Sequence, residues 1–193
     1  MSKAKEITKI SVTLFLITAI SALLLAIVNN ITAPMIAANE EQSVQDALRV
    51  VMPEADVFEE KDKGNAAAAA EEKYESDIIE LYDAKKDGET VGICAIVETK
   101  GYDTGLRSAV GVDADGTVTG VEIISHQETP GLGANAEKEE FRSQYTGKVG
   151  EISVVKSGAE ENEINAISGA TMTSDGVTRA VNTVTAIAGE MSE

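Results

Sequence analysis

The sequence predicts an α+β protein: a single N-terminal transmembrane helix followed by a compact domain of antiparallel strands and flanking helices. Three observations carry this prediction. Residues 10–28 form an apolar run with no charged side chain, strand-like segments crowd between residues 78 and 126, and residues 177–191 repeat apolar side chains at helical spacing.

The first element is "ISVTLFLITAISALLLAIV", from Ile10 to Val28. As a helix it is about 28 Å long, close to the hydrocarbon thickness of a bilayer. Ser11, Thr13, Thr18 and Ser21 are tolerated because their hydroxyls can bond back to helix carbonyls. Lys3, Lys5 and Lys9 precede the run and the next basic residue after it is Arg49, so the positive-inside rule puts the N-terminus in the cytoplasm and the rest outside. A cleaved signal peptide is the bland alternative, but its apolar region is usually about 7–15 residues. A type IV pilin leader would carry Gly-Phe-Thr-Leu-Ile-Glu, which is missing. A retained single-span anchor in the cell membrane is the favoured reading.

"NEEQSVQDALRVVMPEA" (39–55) places Val44, Ala47, Leu48 and Val51 at helical spacing, with an acidic start and Pro53 as its stop. "EEKDKGNAAAAAEEKYES" (59–76) has no apolar stripe and reads either as a solvated linker or as a short alanine-rich surface helix, without chemistry. Strands are expected over 78–84, 90–99, 107–113 and 117–126, with "DADG" at 113–116 turning the last two into a hairpin. "NAEKEEFRSQY" (135–145) reads as a short polar helix. Val177, Ala180, Val181, Val184, Ile187 and Ala188 share one face of an amphipathic C-terminal helix. The expected organisation is a cytoplasmic N-terminus (1–9), a transmembrane helix (10–28), a stalk helix with an acidic, Ala-rich linker (29–76) and a folded domain (77–193).

The formal net charge is −17, and without Lys3, Lys5, Lys9 and Glu6 the remainder carries 13 basic and 32 acidic residues. Such a surface repels phosphate and argues against nucleic acid as a partner. One cysteine, Cys94, excludes an intrachain disulfide, a Cys-rich zinc site and a cysteine-ligated iron–sulfur cluster. Cys94 lies in a strand-like run and reads as a small buried hydrophobe. There is no C-x-x-C-H for attached haem. If the chain handles electrons at all, they must sit on a cofactor that needs neither cysteine nor a histidine cluster.

Two loops remain. In "SHQETPGLGANAE" (125–137) Pro130 fixes φ, while Gly131 and Gly133 permit angles closed to other residues, so bare backbone can approach a flat ligand. An ordinary strand-to-helix loop has the same spacing. His126, the single histidine, has no Ser or Asp partner at motif spacing and reads as structural. "NAISGATMTSDGV" (165–177) carries Ser168, Thr171, Thr173 and Ser174 but no lysine, histidine or cysteine. Ser174 or Thr173 suits the N-cap of the last helix. Capping needs one hydroxyl rather than four, and a helix N-terminus also favours phosphate. Gly169 and Ala170 leave room for a bulky group at Thr171. No residue in either loop is assigned a catalytic or metal-binding role.

Together, "SGATMTS" (168–174), "ETPGLG" (128–133), "KGYDTGLRSAVGVDADGTVTGVEI" (100–123) and the apolar span resemble the covalent-FMN electron-transfer subunits: the G subunit of the Rnf complex and the C subunit of the sodium-pumping NADH:quinone reductase. The compact, acidic chain looks more like the Rnf protein.

The resemblance implies an FMN-binding domain, with one FMN per chain joined through its phosphate to the Thr171 hydroxyl by a separate flavin transferase that uses FAD. It places Ser168, Gly169, Ala170, Thr173 and Ser174 around the phosphate. Glu128, Thr129, Pro130, Gly131, Leu132 and Gly133 would pack on the isoalloxazine, with Gly101 and Tyr102 nearby. Asn165 stands where the family pattern has Asp. The implied role is a non-catalytic electron relay within a ferredoxin:NAD oxidoreductase coupled to sodium or proton transport, beside other membrane and iron–sulfur subunits. The quinone-reductase protein, another anchored flavoprotein and a non-redox surface module are the alternatives.

Overall fold

In the computed structural model, which describes residues 3–191, the apolar run and the expected stalk helix are one element, α1 (Lys3–Val51). The boundary drawn at residue 28 therefore falls inside a continuous helix. Pro34 lies inside the helix, where it removes a single backbone hydrogen bond, and the polar residues around it are otherwise compatible with a helix. Thr13 Oγ1 donates to Lys9 O (2.9 Å) and Thr18 Oγ1 to Phe15 O (2.9 Å), the back-bonding that makes hydroxyls tolerable in an apolar helix. Among the described residues this helix alone is long and apolar enough to cross a membrane. The chain divides into two compact units between Gln42 and Ser43.

The second unit is built on a five-stranded antiparallel meander. Its strands are β1 (Val57–Glu60), β2 (Asp77–Lys86), β3 (Glu89–Thr99), β4 (Leu106–Asp113) and β5 (Val118–Ser125), in that spatial order. The expected strands thus form, and the 113–116 turn joins β4 to β5 with Gly116 at φ +81°. Asp113 Oδ1 accepts the N–H groups of Asp115 (3.0 Å) and Thr117 (2.8 Å), a side-chain mimic of the turn's own backbone bond.

One face of the sheet buries Val97, Leu106, Val110 and Val112 against Val177, Val181 and Val184 of α4 (Thr171–Met191). The other face receives the last turns of α1, with Val44, Ala47, Leu48, Val51 and Met52 packed on Cys94, Ile96 and Ala109. Burying a Val or Leu side chain in this way is worth about 1.5–3 kcal/mol. Gly111 and Gly120 pair across β4 and β5, and a Cβ at Gly120 would stand 3.0 Å from Val51 Cα, so these glycines form the floor on which the helix end rests. Thr119 Oγ1 donates to Val51 O (2.5 Å), satisfying a carbonyl that the helix end leaves free.

Three expectations need correction here. Of the two readings of 59–76 the alanine-rich helix forms, as α2 (Gly64–Tyr74), but it buries Ala67, Ala70 and Tyr74. The residues before it include β1, which pairs with β2, so the stretch is not a solvated linker. The folded domain therefore takes in residues from Ser43 onward, not from 77. Residues 135–145 form a 3-10 turn (Gly133–Glu137) and the one-turn helix α3 (Glu139–Arg142), with Phe141 and Tyr145 buried edge-to-face, their ring centres 5.6 Å apart. The parallel pair β6 (Ser153–Val155) and β7 (Glu163–Asn165) was outside the expectations, since three-residue strands show no alternation.

Candidate functional site

Three connections meet beside the start of α4: the β3–β4 loop, the segment after β5, and the 166–170 turn. They enclose a cavity of about 560 Å³ lined by Tyr102, Glu128, Thr129, Leu132, Gly133, Gly169, Ala170, Thr171, Met172 and Thr173. Cofactor and small-ligand sites run from roughly 300 to 1,000 Å³.

The helix start differs from the expected cap. Helix α4 begins at Thr171, so neither Thr173 nor Ser174 is its N-cap. Ser174 Oγ accepts the Ile167 N–H (2.9 Å) and donates to Ala170 O (3.1 Å), which closes the turn before the helix. Gly169 sits at φ +77°, a conformation that other residues rarely adopt. The first α4 amide with a backbone partner is that of Ser174, bonded to Ala170 O at 3.1 Å. Those of Thr171, Met172 and Thr173 are left at the positive end of a 21-residue helix. Of the four hydroxyls, the Thr171 hydroxyl alone belongs to an exposed residue lining this cavity.

Glu128, in the segment after β5, ties the β3–β4 loop to the first turn of α4. Its Oε1 accepts the N–H groups of Tyr102 (2.9 Å) and Asp103 (3.3 Å), and its Oε2 accepts the Thr173 hydroxyl (2.8 Å). His126 Nδ1 accepts the Glu128 N–H (3.1 Å), and its Nε2 lies 3.0 Å from Glu137 Oε1. Both ring nitrogens thus face neighbours of their own segment, and the histidine is absent from the cavity lining.

Gly133 works by space rather than by backbone angle. A Cβ there would stand 2.2 Å from Glu128 Oε2 and 2.6 Å from Thr173 Oγ1, whereas Gly131 (φ +80°) has open space around it. Gly101 packs on the same carboxylate, where a Cβ would meet Oε1 at 2.3 Å, and is absent from the cavity lining.

Of the expected site residues, Pro130, Gly131, Ser168, Ser174 and Gly101 do not line the cavity, and the other nine do. Ser168 lines a neighbouring cleft of about 420 Å³ with Asn165, Gln144 and Lys138. Met172 lines the cavity without having been expected; the one signal was its place next to Thr171. No grouping of metal-ligating side chains occurs among the described residues.

Comparison with known proteins places this geometry. Residues 101–186 match the FMN-binding domain family and residues 1–51 match the RnfG N-terminal region. The G subunit of the Na(+)-translocating ferredoxin:NAD(+) oxidoreductase complex of Acetobacterium woodii is 39% identical over 92% of this chain and 89% of its own length. The proton-translocating counterpart from Clostridium ljungdahlii is 37% identical over 84% and 80%. The G subunit of the ion-translocating oxidoreductase complex of Methanosarcina acetivorans is 31% identical over 94% of both chains. The crystal structure of Shewanella oneidensis NqrC superposes with a TM-score of 0.50 at 29% identity, over 58% of each chain. The chain belongs to the family of G subunits of the ion-translocating Rnf oxidoreductase complexes, and shares its FMN-binding domain with the C subunit of the sodium-translocating NADH:quinone reductases.

Proposed function

We propose that this chain is the membrane-anchored electron relay of an Rnf-type ferredoxin:NAD oxidoreductase coupled to ion transport, carrying one FMN joined through its phosphate to Thr171. The observation that carries this reading is the exposed Thr171 hydroxyl at the wall of a cofactor-sized cavity, on the first residue of α4.

The residues present fit FMN. The α4 amides of Thr171, Met172 and Thr173 offer donors to a phosphate, and Gly169 and Ala170 keep the approach free of bulk. Tyr102, Leu132 and Met172, all exposed apolar side chains, supply surface for a flat ring. Bound FMN supplies reversible electron uptake; the chain holds it and shields one side of it. The cavity lining holds no lysine, histidine or cysteine, which suits a loop modified by another enzyme. In that step the Thr171 Oγ–P bond forms, the pyrophosphate bond of FAD breaks, AMP leaves, and the hydroxyl proton passes to the transferase or to water.

The lysines at 3, 5 and 9 favour a cytoplasmic N-terminus and a domain on the outer face, next to the other membrane and iron–sulfur subunits. Co-expression with a flavin transferase, followed by a denaturing gel viewed for flavin fluorescence, tests the reading. The wild-type band is expected to fluoresce and Thr171→Ala to be dark. A dark wild-type band, beside an active transferase control, refutes it.

A further inference from the structure

We infer that Glu128 sets the redox potential of the site: its buried negative charge lowers the midpoint potential of a flavin held in the cavity, and the Thr173 hydroxyl moderates that effect. The inference rests on the flavin reading above.

Glu128 is 6% exposed and lines the cavity. Its hydrogen-bond partners are all donors: two amide N–H groups on Oε1 and the Thr173 hydroxyl on Oε2. The two amides can only donate and the Thr173 hydroxyl is free to donate, so the partners form the donor set that a carboxylate uses. Gly101 and Gly133 close on the two oxygens so tightly that a single added carbon would lie within 2.3 Å of each, leaving no room there for water. Among the described residues no Lys, Arg or His forms an ion pair with it. The charge is thus offset by dipoles alone, in a place where neither bulk water nor dissolved salt screens it well.

A scaffold alone does not need that charge. Glutamine has the same shape, can accept both amides on its oxygen, and can donate from Nε2 to Thr173 Oγ1. The glutamate in its place opposes the arrival of electrons in the adjacent cavity, and charge near a bound flavin is one of the means by which a protein tunes it. The Thr173 hydroxyl draws part of that negative charge toward itself. The two residues therefore act on the potential with opposite sign.

The test uses the full chain, co-expressed with a flavin transferase, purified in detergent and checked for loading by gel fluorescence. Midpoint potentials are then measured at one pH by spectroelectrochemical titration. Glu128→Gln is expected to titrate at higher potential than wild type, Thr173→Val at lower potential, and Glu128→Asp, which keeps the charge, below Glu128→Gln. Loaded variants whose potentials equal the wild-type value, or which all move the same way, overturn the inference. Should Glu128→Gln fail to load, Thr173→Val decides alone: a fall supports the inference, and no change or a rise overturns it. A dark wild-type band refutes the flavin reading itself, an outcome distinct from loaded protein with unmoved potentials.

Discussion

Asn182 holds both backbone groups of Ile152: its Oδ1 accepts the Ile152 N–H at 2.9 Å and its Nδ2 donates to the Ile152 carbonyl at 2.8 Å. Both residues are buried, so a side chain of α4 does for this segment what a neighbouring strand does elsewhere. The pair anchors the entry to β6, and through β7 it steadies the chain that leads to Thr171.

Asn182→Ala leaves a buried donor and a buried acceptor without partners. Each unsatisfied group costs about 1–3 kcal/mol, so a loss of roughly 2–4 kcal/mol is expected, allowing for partial hydration of the space vacated. Urea unfolding followed by tyrosine fluorescence, in detergent, measures it. A change below about 0.5 kcal/mol, the ordinary range for surface substitutions, would show that the pair is not the anchor.

The two glycines of "ETPGLG" are expected to fail differently. Gly133→Ala puts a methyl group against Glu128 Oε2 and Thr173 Oγ1, at 2.2 and 2.6 Å, and must break their hydrogen bond. Overpacking of this kind costs about 1–3 kcal/mol. Gly131→Ala meets no atom but must hold φ near +80°, which costs roughly 1–2 kcal/mol for an L-residue. A second substitution, Thr173→Val, separates the two. It removes the bond that Gly133→Ala breaks, so its added cost is less than additive with Gly133→Ala and fully additive with Gly131→Ala.

How much of this was legible follows from which signals are local. The strands were readable because "TVGICAIVET" and "RSAVGVD" are apolar runs bounded by turn residues, and α4 because its apolar face repeats at 3.6 residues. Helix α2 was not, because Ala67 and Ala70 look like their exposed neighbours and are buried only because α4 lies against them. Strand β1 offers four residues, too few to show a period. At the site, Thr171 could be read from its motif, whereas the Glu128–Thr173 bond spans 45 positions and has no sequence signature. The same holds for Gly101, whose smallness serves a carboxylate 27 residues away.

Alkaline stability should carry the mark of Cys94. Burial pushes its thiol up to about 12, from an ordinary value of 9.0. Above pH 9 the unfolded chain loses this proton while the folded chain keeps it, so unfolding releases a proton and stability falls as pH rises toward 12. At pH 10 the loss from this group is about 1.4 kcal/mol, one pKa unit's worth. Tyr145, buried and held above the usual phenol range, adds a second fall beginning near pH 10. Cys94→Ala is expected to delay the alkaline decline by about one pH unit in urea unfolding measured from pH 7 to 10.5. Parallel curves for variant and wild type would remove the thiol as a cause.

Asn165, where the family resemblance implies Asp, is engaged in its own local structure. Its Oδ1 accepts the Ala159 N–H (3.2 Å), its backbone N–H donates to Gln144 Oε1 (2.8 Å), and its Nδ2 approaches the same oxygen at 3.4 Å. The side chain borders the cleft shared with Ser168, not the cavity at Thr171. Asn165→Asp keeps the bond to Ala159 but sets a carboxylate oxygen against Gln144 Oε1. Turning the Gln144 amide relieves that contact and forfeits the 2.8 Å bond to the backbone. On an exposed surface the expected cost is about 0.5–1.5 kcal/mol, one net hydrogen bond. Since nothing at Thr171 changes, flavin fluorescence per chain after co-expression with the transferase should stay within about twofold of wild type, a difference of roughly 0.4 kcal/mol. Adding Gln144→Asn in the same chain is not expected to alter loading either, because the shorter side chain reaches neither Thr171 nor its cavity. A several-fold rise in loading for Asn165→Asp would mean instead that the transferase reads the carboxylate directly, and that this chain is loaded less readily for want of it.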